Sequence, residues 1–189
     1  MKNIAVFASG SGSNFQAIME AIKDGRLKAN VALLVSDQPS AYCIERAKQE
    51  NIPYFAVRAK DYPSKVDYEK DILEQLGKHN IEFIVLAGYM RLIGSTLLQA
   101  FEGRMVNIHP SLLPAFPGKD AIGQALEAGA EKTGVTIHFV DAGMDTGPII
   151  SQESINIDQE DTKESLQEKV HKIEHQLYPA VLNKLFNQS

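Results

Sequence analysis

Asn107 and His109 stand two positions apart at the end of a short apolar run that begins at Met105, immediately before Pro110. If that run is a strand, residues two apart point the same way, so the amide and the imidazole project together from a strand's carboxyl end. Pro110 stops the strand there and Pro114 stiffens the loop beyond it. The pair suits acyl transfer: an amide donates to a developing oxyanion, and an imidazole donates or shuttles a proton. A strand-end histidine also serves purely structural purposes, and the pair alone does not choose between the two.

A second polar constellation is Asp141-Ala142-Gly143-Met144-Asp145-Thr146-Gly147-Pro148. Two glycines, a proline and two acids between apolar runs mark a tight, shaped loop. A carboxylate here would favour the charged form of a histidine beside it, yet spacing alone does not set Asp145 next to His109. The loop reads equally as a polar turn.

A third is Ser9-Gly10-Ser11-Gly12-Ser13-Asn14, between the first apolar run and the first helical pattern. Its glycines let the backbone turn tightly and bring N–H groups near an anion. The helix start adds partial positive charge. Phe15 occupies the place of the third glycine of a dinucleotide fingerprint, and no Gly-Lys-Ser/Thr follows. A monophosphate is therefore the better ligand; a plain strand-to-helix turn would use the same residues.

These segments need elements to position them. Strands are predicted at Ile4 to Ala8, Val31 to Val35, Tyr54 to Val57, Ile81 to Ala87, Met105 to Ile108, Thr133 to Val140 and Ile149 to Ile157. Helices are predicted over Asn14 to Lys23, Ala41 to Glu50 and Ser64 to Lys78, where Ser64 and Asp67 have capping-box spacing. A last helix opens near Asp161, carries the stripe Leu166, Val170, Ile173, Leu177, and should kink or restart at Pro179. Strands alternating with helices imply an α/β fold, a parallel sheet with helices on both faces. Such sheets bind ligands outside the carboxyl ends of their strands.

The chain has 189 residues, 44% hydrophobic and 23% charged, and no linker or repeat, as for a single domain, 1–189. A net charge of -5 argues against broad contact with a nucleic-acid backbone. No apolar run approaches the length a membrane helix needs, and the N-terminal run is too short for a signal peptide. The one cysteine, Cys43, forms no internal disulfide and anchors no cysteine-rich metal site. It is expected to be packed, His79 to end a helix in solvent, and His138 to lie near the site without an assigned role. A cytoplasmic location is the default expectation.

Taken together, the motifs resemble the glycinamide ribonucleotide formyltransferase family over nearly the whole chain. The resemblance rests on Gly10 to Asn14, Leu86-Ala87-Gly88-Tyr89-Met90-Arg91, Asn107 to Pro114, Gln124-Ala125-Leu126, His138, Asp141 to Pro148, and Glu174-His175 with Tyr178-Pro179. It implies a Rossmann-like formyltransferase fold, with a mostly parallel twisted sheet. It implies 10-formyltetrahydrofolate as donor, glycinamide ribonucleotide as acceptor, and no metal. Asn107, His109 and Asp145 would form the catalytic set. Gly12, Ser13 and Asn14 would hold the acceptor's phosphate, and Glu174 its ribose. Met90, Arg91, Leu92 and Ile93 would line the folate pocket with Asn107 and the Asp141, Ala142, Gly143, Met144 loop. The chain departs from the family twice. Lys65 stands where some members carry an arginine facing the folate, and His171 stands where lysine or glutamine is frequent, among the substrate-binding positions. Partners would be these two small molecules, neither nucleic acid nor membrane, with room left for a homodimer.

Related formyltransferases act on charged initiator tRNA or sugar amines, and related hydrolases on the folate itself. The former usually add a C-terminal domain and the latter an N-terminal one. The short flanks of this chain favour the ribonucleotide enzyme. His171-Lys172-Ile173-Glu174-His175 also matches the H-x-x-E-H pattern of zinc proteases, but too few residues follow to supply a third ligand. A non-catalytic nucleotide-binding module would explain the turn at Gly12 and leave Asn107, His109 and Asp145 without a purpose.

Overall fold

A computed structural model describes residues 1–188. Seven strands form one sheet in the order β3-β2-β1-β4-β5-β6-β7. They are β1 (Lys2–Phe7), β2 (Ala29–Ser36), β3 (Tyr54–Ala56), β4 (Phe83–Leu86), β5 (Met105–His109), β6 (Lys132–Phe139) and β7 (Ile149–Asn156). The first five run parallel; β5 with β6 and β6 with β7 pair antiparallel. The sheet is therefore mostly parallel, as the family resemblance implies. β6 and β7 are joined directly by the 140–148 loop, and a loop that short returns the chain only antiparallel.

The helices are α1 (Ser13–Lys23), α2 (Tyr42–Gln49), α3 (Lys65–Lys78), α4 (Ser95–Ala100), α5 (Ala121–Glu127) and α6 (Lys163–Phe186). Alternation along the strands sorts the core into two layers. Ile4, Val6, Val85, Val106 and Ile108 pack with residues of α1 and α6 on one face. Ala5, Phe7, Ile84, Leu86 and Met105 pack with residues of α3 and α4 on the other. Phe15 and Ile18 of α1 are fully buried, each contributing roughly 1.5–3 kcal/mol of transfer free energy.

Helix starts follow from their caps. The Ser64 hydroxyl accepts from the Asp67 N–H at 3.1 Å and begins α3 as its spacing predicts. The last helix opens near Asp161, as expected, with its first helical residue at Lys163. Thr162 is its cap, paired reciprocally with Ser165, while Asp161 accepts from the Ser165 hydroxyl and from Lys169. Pro179 neither ends nor restarts α6, which continues to Phe186. The ring is buried, and that burial offsets the one backbone donor the turn lacks. The short helices α4 and α5 carry no full apolar stripe and were not predicted. Among the described residues, no helix is long and apolar enough to cross a membrane.

Candidate active site

The chain lays β1, β2 and β3 outward in one direction, then returns to place β4 on the other side of β1. Strand order reverses between β1 and β4, and their carboxyl ends diverge there into a crevice. A cleft of about 700 Å³ opens at that point, lined by Ser9–Asn14, the 86–93 segment, the end of β5, the 143–145 loop and one face of α6.

On one side lies the glycine-serine turn. Gly12 begins α1 with φ 76° and no side-chain cap, so the first helical N–H groups are left for a ligand. Gly12 also has a packing reason to be glycine, because a Cβ there would stand 2.7 Å from Cβ of Cys43. The Cys43 N–H donates to the Gly10 carbonyl and Arg46 Nε to the Ser11 carbonyl, so α2 braces the turn from behind. Asn14 is buried, and its side-chain oxygen has no hydrogen-bond partner within the protein.

Glu174 faces the same corner because position 174 continues the buried stripe of Leu166 and Val170. Burial pushes its carboxyl up to about 7, opposed by the Asn14 amide. His171 lies 3.9 Å from it. Burial pushes the His171 imidazole down. Desolvation thus moves both groups toward their neutral forms, and the contact is not a strong ion pair at neutral pH despite its distance. His171 and His175 stack in parallel, and among the described residues no three metal-ligating side chains are grouped to hold an ion.

On the other side β5 runs two residues past the end of β4, since Leu86 pairs with Asn107. Asn107 lies opposite His138 and His109 opposite Thr136, so both pairs point to one face. Asn107 Nδ2 is 3.4 Å from His138 Nε2. Asp145 reaches this face from the 140–148 loop in a left-handed conformation, φ 56°. Its Oδ2 lies 3.6 Å from His109 Nδ1 and its Oδ1 3.8 Å from His138 Nε2. A carbonyl only accepts, so the 2.9 Å contact of His109 Nε2 with the Phe116 oxygen fixes the proton on Nε2 and leaves Nδ1 toward Asp145. The Gly118 N–H holds Asp145 Oδ2 at 2.8 Å. The structure therefore brings together the three residues expected to act in concert.

Met90, Arg91, Leu92 and Ile93 line the cleft between the two sides, as do Gly143 and Met144. Met90 and Met144 are 66% and 56% exposed, an apolar rim suited to a flat aromatic ligand. Three of the residues expected at the folate pocket lie outside the cleft's lining. Lys65 lies outside the cleft lining and donates to the Leu92 carbonyl at 2.6 Å, so its ammonium braces the loop. Asp141 and Ala142 are also outside it. Asp141 instead accepts from the Gly143 N–H and the Thr146 hydroxyl and shapes the turn that carries Asp145.

Sequence reasoning gave no role to His138, which stands between Asn107 and Asp145; its signal, a histidine on an apolar strand beside the Asp141 loop, was present but directionless. Gln124 was seen only as part of a motif. Its amide donates to the Pro117 and Lys119 carbonyls at 2.9 and 2.7 Å, bracing the strap whose Phe116 and Gly118 hold His109 and Asp145. Lys163 and Gln167 add to the cleft from the α6 face that carries His171 and Glu174.

Fold and cleft define an α/β group-transfer enzyme whose single cleft brings together an amide, two imidazoles and a carboxylate. A family model described as "Formyl transferase" matches residues 2–182, and the chain belongs to that family. It is 56% identical over 185 residues to phosphoribosylglycinamide formyltransferase of Bacillus subtilis, covering 98% of this chain and 95% of that one. It is also 41% identical to the trifunctional purine biosynthetic protein adenosine-3 of Drosophila melanogaster, of which it spans 14%. Among solved structures, phosphoribosylglycinamide formyltransferase of Bacillus halodurans superposes with TM-score 0.97 at 57% identity, covering 99% and 96% of the two chains. Glycinamide ribonucleotide transformylase 1 of Geobacillus kaustophilus does so with TM-score 0.96 at 61% identity, covering 98% of each.

Proposed function

We propose that this chain transfers the formyl group of 10-formyltetrahydrofolate to the amino group of glycinamide ribonucleotide, a step of de novo purine biosynthesis. The observation that carries the reading is the meeting, in one cleft, of an uncapped helix N-terminus with the Asn107, His109 and Asp145 cluster. The first suits a phosphorylated acceptor; the second suits acyl transfer. Gly12, Ser13 and Asn14 would take the phosphate, Glu174 and His171 the ribose, and the 90–93 segment with Gly143 and Met144 the folate.

In this reading the neutral acceptor amine attacks the formyl carbon, and the carbonyl oxygen becomes an oxyanion that Asn107 Nδ2 stabilises. The amine must lose one proton, and the departing folate nitrogen must gain one. The reaction is proton-neutral overall, so the site needs only a relay. His109, oriented by Asp145 and by the Phe116 carbonyl, is that relay. The 3.6 Å gap between His109 and Asp145 exceeds a hydrogen bond, as is frequent before ligands tighten a site. No step requires a metal, and a cytoplasmic location and a single-domain chain belong to the same proposal.

Purified protein supplied with both substrates should yield formylated glycinamide ribonucleotide and tetrahydrofolate in equal amounts. Formylation of charged initiator tRNA or of a sugar amine in its place would redirect the acceptor assignment. Binding of both ligands without turnover would favour a non-catalytic module.

A further inference from the structure

Ser9 sits at the end of β1, in the first position of the glycine-serine turn, and makes three contacts that tie the turn to the 88–93 segment. Its N–H donates to the Gly88 carbonyl at 3.0 Å. Its hydroxyl oxygen accepts from the Met90 N–H at 2.8 Å. The same hydroxyl donates to Asp37 Oδ1 at 2.6 Å. Asp37, just past β2, is only 5% exposed. Between the two pinned residues, Tyr89 packs edge-on against Phe7, with ring centroids 5.3 Å apart, and its hydroxyl pairs with that of Tyr68 at 2.7 Å. Gly88 takes a left-handed backbone, φ 79°, so the corner bends sharply at the point that Ser9 grips.

A hydroxyl has one proton and two lone pairs, whereas a carboxylate only accepts. The Asp37 carboxylate therefore claims the Ser9 proton and fixes the rotor, leaving an oxygen lone pair aimed at the Met90 N–H. Bonds to a charged group are stronger than neutral ones, so the buried acid makes the serine a firm acceptor. We propose that Ser9 and Asp37 are positioning residues for the formylated folate donor: the acid orients the hydroxyl, and the hydroxyl holds the Gly88–Met90 corner in the shape that receives the donor's ring. The proposal rests on the reading of the 90–93 segment as part of the donor's site. Neither residue touches the reacting atoms.

The test uses the full chain and two readouts, amide hydrogen exchange at Met90 by NMR and the Kd of tetrahydrofolate by calorimetry. Ser9→Ala and Asp37→Ala should speed exchange at Met90. Both should raise the Kd about 3- to 10-fold, the size of one lost hydrogen bond. The rise in donor KM should exceed any fall in kcat. Asp37→Asn keeps an acceptor for the Ser9 hydroxyl and should stay close to the parent. The double alanine variant should be no worse than the worse of the two singles, because both remove one linked contact. If Ser9→Ala does not fold, the two Asp37 variants decide the matter alone. Parent-like exchange and affinity in the alanine variants would overturn the proposal, as would an Asp37→Asn variant as impaired as Asp37→Ala. A parent chain that binds no tetrahydrofolate at all would overturn the donor-site reading itself, a result distinguishable from both.

Discussion

Asn107 and His138 face each other directly across β5 and β6, with the amide nitrogen 3.4 Å from His138 Nε2. His138 Nδ1 contacts the Phe139 carbonyl at 2.8 Å, so Nδ1 carries the ring proton and a neutral ring presents a lone pair at Nε2. Only the NH₂ end of Asn107 can satisfy that lone pair. The histidine therefore sets which way the amide points and leaves its second N–H for the substrate oxygen.

Replacing His138 should release that orientation without emptying the site. His138→Leu is expected to lower kcat at least about tenfold, short of the ~10²–10³-fold cost of deleting an oxyanion donor outright. Both KM values should stay within about threefold, since no ligand contact is assigned to the ring. Steady-state kinetics on parent, His138→Leu and Asn107→Ala would rank the three. A His138→Leu variant with parental kcat would remove His138 from the mechanism.

Asp145→Asn keeps the shape of the side chain, including an oxygen for the Gly118 N–H at Oδ2, and removes the charge beside His109. With the relay unsupported, kcat should fall by ~10²–10⁴-fold while tetrahydrofolate and the acceptor still bind. Single-turnover rates with separately measured affinities would distinguish this from a binding defect. Lost affinity with intact turnover at saturation would reassign Asp145 to binding.

The phosphate turn separates folding from binding by residue. Gly12→Ala places a Cβ against Cys43 at a positive φ, and a left-handed non-glycine residue alone costs about 1 kcal/mol or more. A lowered Tm is expected whatever the turn binds, so Gly12 variants are poor reporters of phosphate. Asn14→Asp is the better one. It adds negative charge beside the proposed phosphate and should raise acceptor KM about tenfold or more, roughly 1.4 kcal/mol per decade, with tetrahydrofolate affinity unchanged. Equal weakening of both ligands would contradict the assignment of this corner.

Much of this arrangement was legible in the chain because it is local. Period two placed Asn107 and His109 on one face, the Ser64–Asp67 spacing marked the start of α3, and glycines bounded the turn before α1. What stayed hidden was long-range. An apolar run does not state the direction in which its strand pairs, so which strands reverse could not be read from it, nor the β5–β6 register that sets His138 against Asn107. Lys65 has the charge for a carboxylate, yet the fold hands its ammonium a nearer acceptor in the Leu92 carbonyl. Short helices such as α5, with Gly123 inside it, carry too little pattern to be read. Their value lies in what they brace.

Glu174 gives the site a pH dependence whose sign follows from its environment. Burial raises its carboxyl from 4.5 to about 7, so between these values the folded chain holds a proton that the unfolded chain has released. Stability then falls as pH rises through that window; the penalty is absent below about 4.5 and complete above about 7. Glu174→Gln removes the penalty. Its Tm should match the parent near pH 4 and exceed it near pH 8, by up to roughly 3 kcal/mol of stability. Binding should run the opposite way. Ribose hydroxyls donate, so they favour the ionised carboxylate, and the parent's acceptor KM should improve as pH rises through about 7. The acceptor's own phosphate and amine also titrate, but they do so identically for both proteins. The ratio of acceptor KM, Glu174→Gln over parent, isolates the carboxylate and should grow steadily from pH 6 to pH 8. A flat ratio would mean that Glu174 does not meet the ribose in its charged form. A flat difference in Tm across the same range would mean that its proton is not held by burial at all.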